Sequence, residues 1–169
     1  MGMQIVLDNG TKVRIRPIRP SDKPLLEAAL GRLSDETIHR RFLAPKPRFT
    51  GTDLRYLTEV DGRDHYALVG VLADRPDVLV GVGRWIRDPV RTDRAEVAIV
   101  IGDEFQGHGL GTALGLALAD AARARGVRSF TATMLAENAP AQRLFAVISH
   151  RLRVTHEGAT DAVVGDLAA

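Results

Sequence analysis

The chain has 169 residues, enough for one domain, spanning residues 1–169, that buries its own core without covalent staples. It contains no cysteine, which excludes a disulfide framework, a thiolate metal site and a cysteine nucleophile, and fits a cytoplasmic setting. The 23 Lys and Arg oppose 21 Asp and Glu for a formal net charge of +2, and apart from Lys12, Lys23 and Lys46 the basic residues are scattered arginines, so no nucleic-acid surface is expected.

The start, Met1-Gly2-Met3-Gln4, leads into an alternating strand pattern. No apolar run approaches the roughly 18 residues that span a bilayer, so no membrane partner is expected. Residues Gln4 to Leu7 and Thr11 to Arg16 alternate on either side of Asp8-Asn9-Gly10, which predicts a β-hairpin. Pro17 and Pro20 end that strand, and Ser21 is placed to cap a helix running to about Leu33. Ser34 is placed to cap a second short helix through about Phe42. Ala44-Pro45-Lys46-Pro47 breaks the chain, and Thr52 is placed to open a third helix over Asp53 to Thr58. These helices are expected to cover one end of a sheet.

Three strand-like runs follow, His65 to Leu72, Val78 to Ile86 and Ala95 to Ile101, joined by short turns that predict an antiparallel meander. A helical pattern from Leu110 to Arg125 repeats its apolar residues at Leu110, Ala113, Leu114, Ala117, Leu118 and Ala121 and ends at Gly126. A strand from Ser129 to Met134, a helix from about Pro140 to Ile148, and strands around Leu152 to Thr155 and Ala162 to Leu167 complete a mixed α+β layout. The five histidines show no metal-ligand spacing, and no metal is assigned. Ser149-His150 are chain neighbours with packing or surface roles rather than a nucleophile and its base.

The most informative stretch is Gln106-Gly107-His108-Gly109-Leu110-Gly111-Thr112, between the strand ending at Ile101 and the helix beginning at Leu110. Glycines permit positive φ and close backbone approach, and the free N–H groups of a helix's first turn attract anions, so the loop reads as a pyrophosphate cradle. A Walker loop is excluded because Thr112-Ala113, with no lysine, follows Gly111. The dinucleotide fingerprint is excluded because its third glycine falls on Thr112 or Leu114.

The remaining pattern, Gln106-x-x-Gly109-x-Gly111 between strand and helix, resembles the signature of the GNAT N-acetyltransferases. That resemblance implies a mostly antiparallel sheet with one splayed parallel strand pair, here Ala95 to Ile101 and Ser129 to Met134, flanked by helices. It implies that acetyl-CoA is the donor, with its pantetheine arm aligned on the backbone of Ile99, Val100 and Ile101. Gln106, Gly107, His108, Gly109, Leu110, Gly111 and Thr112 would hold the pyrophosphate, and Asn138 matches the family's asparagine near the cofactor. Asn138 also suits a turn on its own account.

Acetylating an amine requires a neutral nucleophile, and deprotonating a lysine at pH 7 costs about 4 to 5 kcal/mol. Glu96 stands in the strand Ala95-Glu96-Val97-Ala98-Ile99-Val100-Ile101, where the resemblance implies a general base. A carboxylate of ordinary acidity must be raised by burial or act through water to do this. The bland alternatives are a solvent-facing place on an edge strand or an ion pair with Arg84. The family's tyrosine, seven residues after the asparagine, is replaced by Phe145, which suits packing and removes the general-acid assignment at that position; Ser149-His150 replaces the usual Gly-Phe.

The stretch from Leu33-Ser34-Asp35-Glu36-Thr37 through Arg40-Arg41-Phe42 to Leu57-Thr58-Glu59-Val60-Asp61 resembles bacterial protein-lysine acetyltransferases, whose catalytic domains can carry regulatory modules. The expected activity is direct acetyl transfer from acetyl-CoA to a primary amine, with protein lysine as first acceptor. The alternatives are a small-molecule amine acetyltransferase and a non-catalytic acyl-CoA-binding regulatory module. Both monomer and homodimer remain open.

Overall fold

The computed structural model describes residues 2–44 and 48–167. The hairpin forms as expected: β1 (Met3–Val6) and β2 (Lys12–Pro17) flank a turn in which Gly10 takes φ +87° and Thr11 N–H donates to Asn9 Oδ1 at 3.1 Å. The period-2 alternation decides its facing, with Val13 and Ile15 buried and Lys12 and Arg14 exposed.

Three helices follow: α1 (Lys23–Gly31), α2 (Asp35–Phe42) and α3 (Gly51–Thr58). Ser21 does not cap α1; it lies within a single 3₁₀ turn, Pro20–Asp22. Asp22 takes the capping position but makes no side-chain cap bond, because its carboxylate accepts from the buried Arg16 guanidinium at 2.7 and 2.8 Å and from Arg19 N–H at 2.8 Å. Ser34 caps α2 as expected, accepting from Thr37 N–H at 3.2 Å. The third helix opens two residues before Thr52, since Thr50 and Asp53 accept reciprocally from each other's N–H groups at 3.1 and 2.9 Å. The expected break at Ala44-Pro45-Lys46-Pro47 falls at residues 45–47, outside the described residues.

The sheet has eight strands in the order β1-β2-β3-β4-β5-β6-β8-β7, where β3 is His65–Leu72, β4 Leu79–Arg87, β5 Arg94–Ile101, β6 Ser129–Leu135, β7 His150–Glu157 and β8 Thr160–Asp166. The run from β3 to β5 is the predicted antiparallel meander. Two further helices, α4 (Leu110–Ala124) and α5 (Ala139–Ile148), cover one face. Leu110, Leu114, Leu118 and Ala122, spaced four apart, are fully buried in the core shared by that face. The helix lies so close that a Cβ on Gly83 would stand 2.7 Å from Leu118 Cδ1.

The earlier helices cover the opposite face rather than one end: Leu26 of α1 is buried with Val69, Val71 and Val82, and Leu54 and Leu57 of α3 pack against them. Ala98 and Val100 of β5 face this side, while Val97, Ile99 and Ile101 face α4.

The parallel pair is where the sheet opens. β5 and β6 pair only through Arg94 with Ser129, Ala95 with Phe130 and Glu96 with Thr131. Beyond Glu96 the strands separate, while β6 remains paired with β8 along its whole length.

Candidate active site

The gap between β5 and β6 is the inner part of a cleft of about 480 Å³. Its walls are Val97 to Ile101 on one side, Ala132 to Met134 on the other, and Leu144 of α5. The loop before α4 closes one end through Gln106, Gly107, Gly109, Gly111 and Thr112. Ile99, Val100 and Ile101 therefore present a backbone edge that no neighbouring strand occupies, the kind of edge a ligand rich in amides can pair with.

The glycines of the loop serve different ends. Gly107 and Gly109 hold φ at +78° and +98°, the region that favours glycine, and a Cβ on either would meet nothing within 4 Å. Gly111 lies inside α4, where a Cβ would touch Leu144 at 3.5 Å, an ordinary contact. Gly109 caps α4 without a side chain, and the first intrahelical bond runs from Ala113 N–H to Gly109 C=O at 3.1 Å. The N–H groups of Leu110, Gly111 and Thr112 are thus left for an anion at the positive end of the helix.

Two of the expected cradle residues can contribute only backbone. The Leu110 side chain is fully buried in the core. His108 turns away, its Nδ1 standing 2.5 Å from Asp8 Oδ1 and its C=O accepting from Asp8 N–H at 3.3 Å, so it anchors the loop to the hairpin turn. The Gln106 amide is a brace: Nε2 donates to Ile101 C=O at 3.0 Å and to Thr37 Oγ1 at 3.1 Å. Thr37 donates in turn to Asp103 Oδ2 at 3.1 Å, and Asp103 also accepts from Ser34 N–H. Burial pushes the Asp103 carboxyl up, but the bonds from Ser34 and Thr37 outweigh it and hold the carboxyl below its usual range.

Asn138 lines the cleft, is buried, and caps α5 by accepting from Ala141 N–H at 3.2 Å. The local turn role and the cleft position therefore coexist in one side chain. Phe145 is buried in the core, as its packing role requires. Ser149 is buried with its Oγ donating to Phe145 C=O at 2.7 Å, and His150 is exposed at the start of β7.

Glu96 stands at the last paired rung of β5 and β6, on the face shared with Ala98 and Val100. It is exposed, although β5 is an interior strand. It is not bonded to Arg84. That guanidinium is buried, and its Nη1 lies 2.9 Å from both Leu57 C=O and His65 Nε2. The Glu96 carboxylate acts on Arg41 of α2: burial lowers the Arg41 pKa, and Glu96 acts in the opposite sense.

Sequence reading gave Thr37 and Arg41 no site role and met Arg84 only as a candidate ion-pair partner of Glu96. Arg84 carried a signal, since it is a charged residue within the apolar run Leu79 to Ile86. Arg41 and Thr37 lie within the stretch that resembles the protein-lysine acetyltransferases, but nothing marked them as site residues until α2 was placed against β5. Among the described residues no cluster of histidine and acidic side chains could hold a metal ion, and no helix is long and apolar enough to cross a membrane.

Comparison with known proteins gives a consistent result. Residues 12–148 match the family model described as an acetyltransferase (GNAT) domain. The chain is 35% identical over 127 residues to the acetyltransferase Pat of Mycolicibacterium smegmatis, a match covering 73% of this chain and 37% of Pat. The chain thus spans little more than a third of that relative. It is 32% identical over 133 residues to an acetyltransferase of Pseudomonas aeruginosa, covering 78% of this chain and 71% of the relative. Among solved structures, the GNAT domain of S. lividans PAT superposes with a TM-score of 0.88 at 29% identity, covering 98% of this chain and 97% of that one.

Proposed function

This chain belongs to the GNAT acetyltransferases, and from that premise we propose that it transfers acetyl from acetyl-CoA directly to a primary amine, with a protein lysine as the first acceptor. The observation that carries the reading is the splay: pairing stops at Glu96 and Thr131, and the slot beyond it runs from the glycine loop to Val97, the chain neighbour of the one carboxylate of β5.

The assignment of roles follows from what each group can do. The loop from Gln106 to Thr112 receives the pyrophosphate, chiefly through the backbone N–H groups at the start of α4, while the unpaired edge of Ile99, Val100 and Ile101 aligns the amide-bearing arm. Asn138, at the wall of the cleft, supplements these contacts. The acetyl thioester supplies an activated carbonyl carbon. The neutral amine attacks that carbon, the C–N bond forms, the C–S bond breaks, and the electron pair leaves with the CoA sulfur.

The ammonium proton goes to Glu96. Because Glu96 is exposed, it lacks the burial that would make it a strong base, so it acts through water. Phe145 offers no proton to the departing thiolate, which is a fair leaving group in its own right and takes its proton from solvent.

The protein-lysine acceptor is supported by the resemblance of the stretch from Leu33 to Asp61, which holds α2 and α3, to protein-lysine acetyltransferases. A small amine is the competing acceptor. Purified protein is incubated with acetyl-CoA and either a panel of amines or lysine-bearing proteins, and thiol release is followed. Transfer to protein lysines is expected; transfer to small amines alone replaces the acceptor, and no transfer to either overturns the reading.

A further inference from the structure

On the α1 to α3 side of the sheet lies a cavity of about 110 Å³ that shares Arg41, Ala98, Val100 and Phe105 with the cleft. Its walls are apolar, formed by Leu26, Phe49, Leu57 and Val82 among others. Arg84 lines it with 4% exposure. Among the described residues only Nη1 of that guanidinium is bonded, to the Leu57 carbonyl at the end of α3 and against His65 Nε2.

His65 cannot neutralise this charge. Since Arg84 has only hydrogens to offer, His65 Nε2 must be the acceptor and the ring neutral; burial, then Arg84, lowers its pKa to about 4, with Asp61 opposing. Arg41 and Arg32 add positive charge to the same cavity, the Arg32 guanidinium donating to Leu79 C=O at 3.0 Å. Burial and then Arg41 push the Arg84 pKa down to about 10, with Tyr56 opposing, which leaves the guanidinium charged at neutral pH. The carboxylates that also line the cavity, Asp103 and Glu104, are exposed residues, and neither is bonded to Arg84 or Arg41. A buried guanidinium without a carboxylate is costly, and a ligand anion would offset that cost.

We propose that Arg84, with Arg41 beside it, forms a subsite for a carboxylate joined by a short apolar arm to one of the two substrates, the amine acceptor or the acyl group of the donor. The proposal rests on the acyl-CoA-dependent reading of the adjoining cleft and refines its substrates: a carboxylate on the donor replaces acetyl with a longer acyl group, and one on the acceptor replaces the protein lysine with a small amino acid-like amine. Apolar walls accommodate the arm, the small volume limits its length, and the bidentate geometry of a guanidinium suits a carboxylate.

The test uses the full chain and matched probes measured by titration calorimetry. On the donor side, succinyl-CoA is compared with butyryl-CoA; on the acceptor side, γ-aminobutyrate is compared with butylamine in protein saturated with CoA. In one of the pairs the carboxylate-bearing probe is expected to bind about tenfold more tightly or better, as a charge-assisted contact requires. Which pair shows it identifies the substrate that bears the acid. In Arg84→Gln the preference falls to within about twofold, and Arg84→Lys retains part of it. If Arg84→Gln does not fold, as its melting curve would reveal, Arg41→Gln is expected to weaken the same preference. Equal binding within both pairs in the wild type, or a preference untouched in a folded variant, overturns the proposal. Acetyl-CoA titrated in parallel separates the two readings: binding without any carboxylate preference removes the subsite alone, and failure to bind acetyl-CoA removes both.

Discussion

The side-chain amide of Gln106 donates to the hydroxyl of Thr37 at 3.1 Å, across 69 residues of chain, and so fastens the glycine loop to the helix that carries Arg40 and Arg41. Thr37 is buried and also donates to Asp103. Thr37→Val keeps the shape and removes both bonds, together with the one its hydroxyl accepts from Ser34 Oγ at 3.1 Å. It is expected to lower stability by about 1 to 3 kcal/mol and to raise the KM for acetyl-CoA more than it changes kcat, which urea unfolding and steady-state kinetics would measure.

Glu96→Gln removes the proposed proton acceptor while leaving the loop intact. Transfer should slow by about 10²-fold or more with the affinity for acetyl-CoA retained, as calorimetry and turnover across pH would show. Turnover unchanged at every pH would take Glu96 out of the chemistry.

Gly109 combines φ +98° with an open surface toward the cleft. Gly109→Asp adds both backbone strain and a negative charge where an anion is to bind, and acetyl-CoA binding should be lost. Gly109→Ala adds the strain alone, about 1 kcal/mol, and should weaken binding without abolishing it. Gly111→Ala, placed where a Cβ makes an ordinary contact, should be the mildest of the three.

His65 should make the fold sensitive to mild acid. Its pKa is lowered from 6.5 to about 4, first by burial and then by Arg84. Between those values the unfolded chain binds the proton and the folded one does not, so stability rises with pH across this window. The loss on acidifying from pH 7 to pH 4 is on the order of 2 kcal/mol after allowing for solvent screening. Urea midpoints of the wild type and His65→Gln over that range would check it, since the variant should lose this part of the slope.

Much of the scaffold could be read from local pattern. The hairpin follows from alternation around Asn9-Gly10, α4 from its four-residue repeat, and the cradle from glycines whose positive φ the chain cannot otherwise reach. Helix starts were less legible. Thr50 prevails over Thr52 because Asp53 stands three residues after it and completes the reciprocal bonds, and Ser21 yields because Arg16, distant in the pattern but adjacent in space, claims Asp22. Glu96 was visible as a charge in an apolar strand, and Arg84 in the same way. What sequence could not convey was their separation. Arg84 is drawn to the end of α3 and to His65 by the register of β3 and β4, where Ala67 faces Arg84 and His65 faces Ile86, whereas Glu96 is released at the point of splay.

The three-rung contact between β5 and β6 also sets how the ligand-free chain should breathe. An interior strand ordinarily shields its amides from both sides, but beyond the last rung the amides of Ile99 and Ile101 face a seam that no strand fills. Those protons should exchange with deuterium far faster than their alternates, which are locked to β4, producing a sawtooth of protection along a single strand. Occupancy of the seam would flatten the sawtooth, so the exchange pattern offers a gauge of filling that needs no turnover and no knowledge of the acceptor.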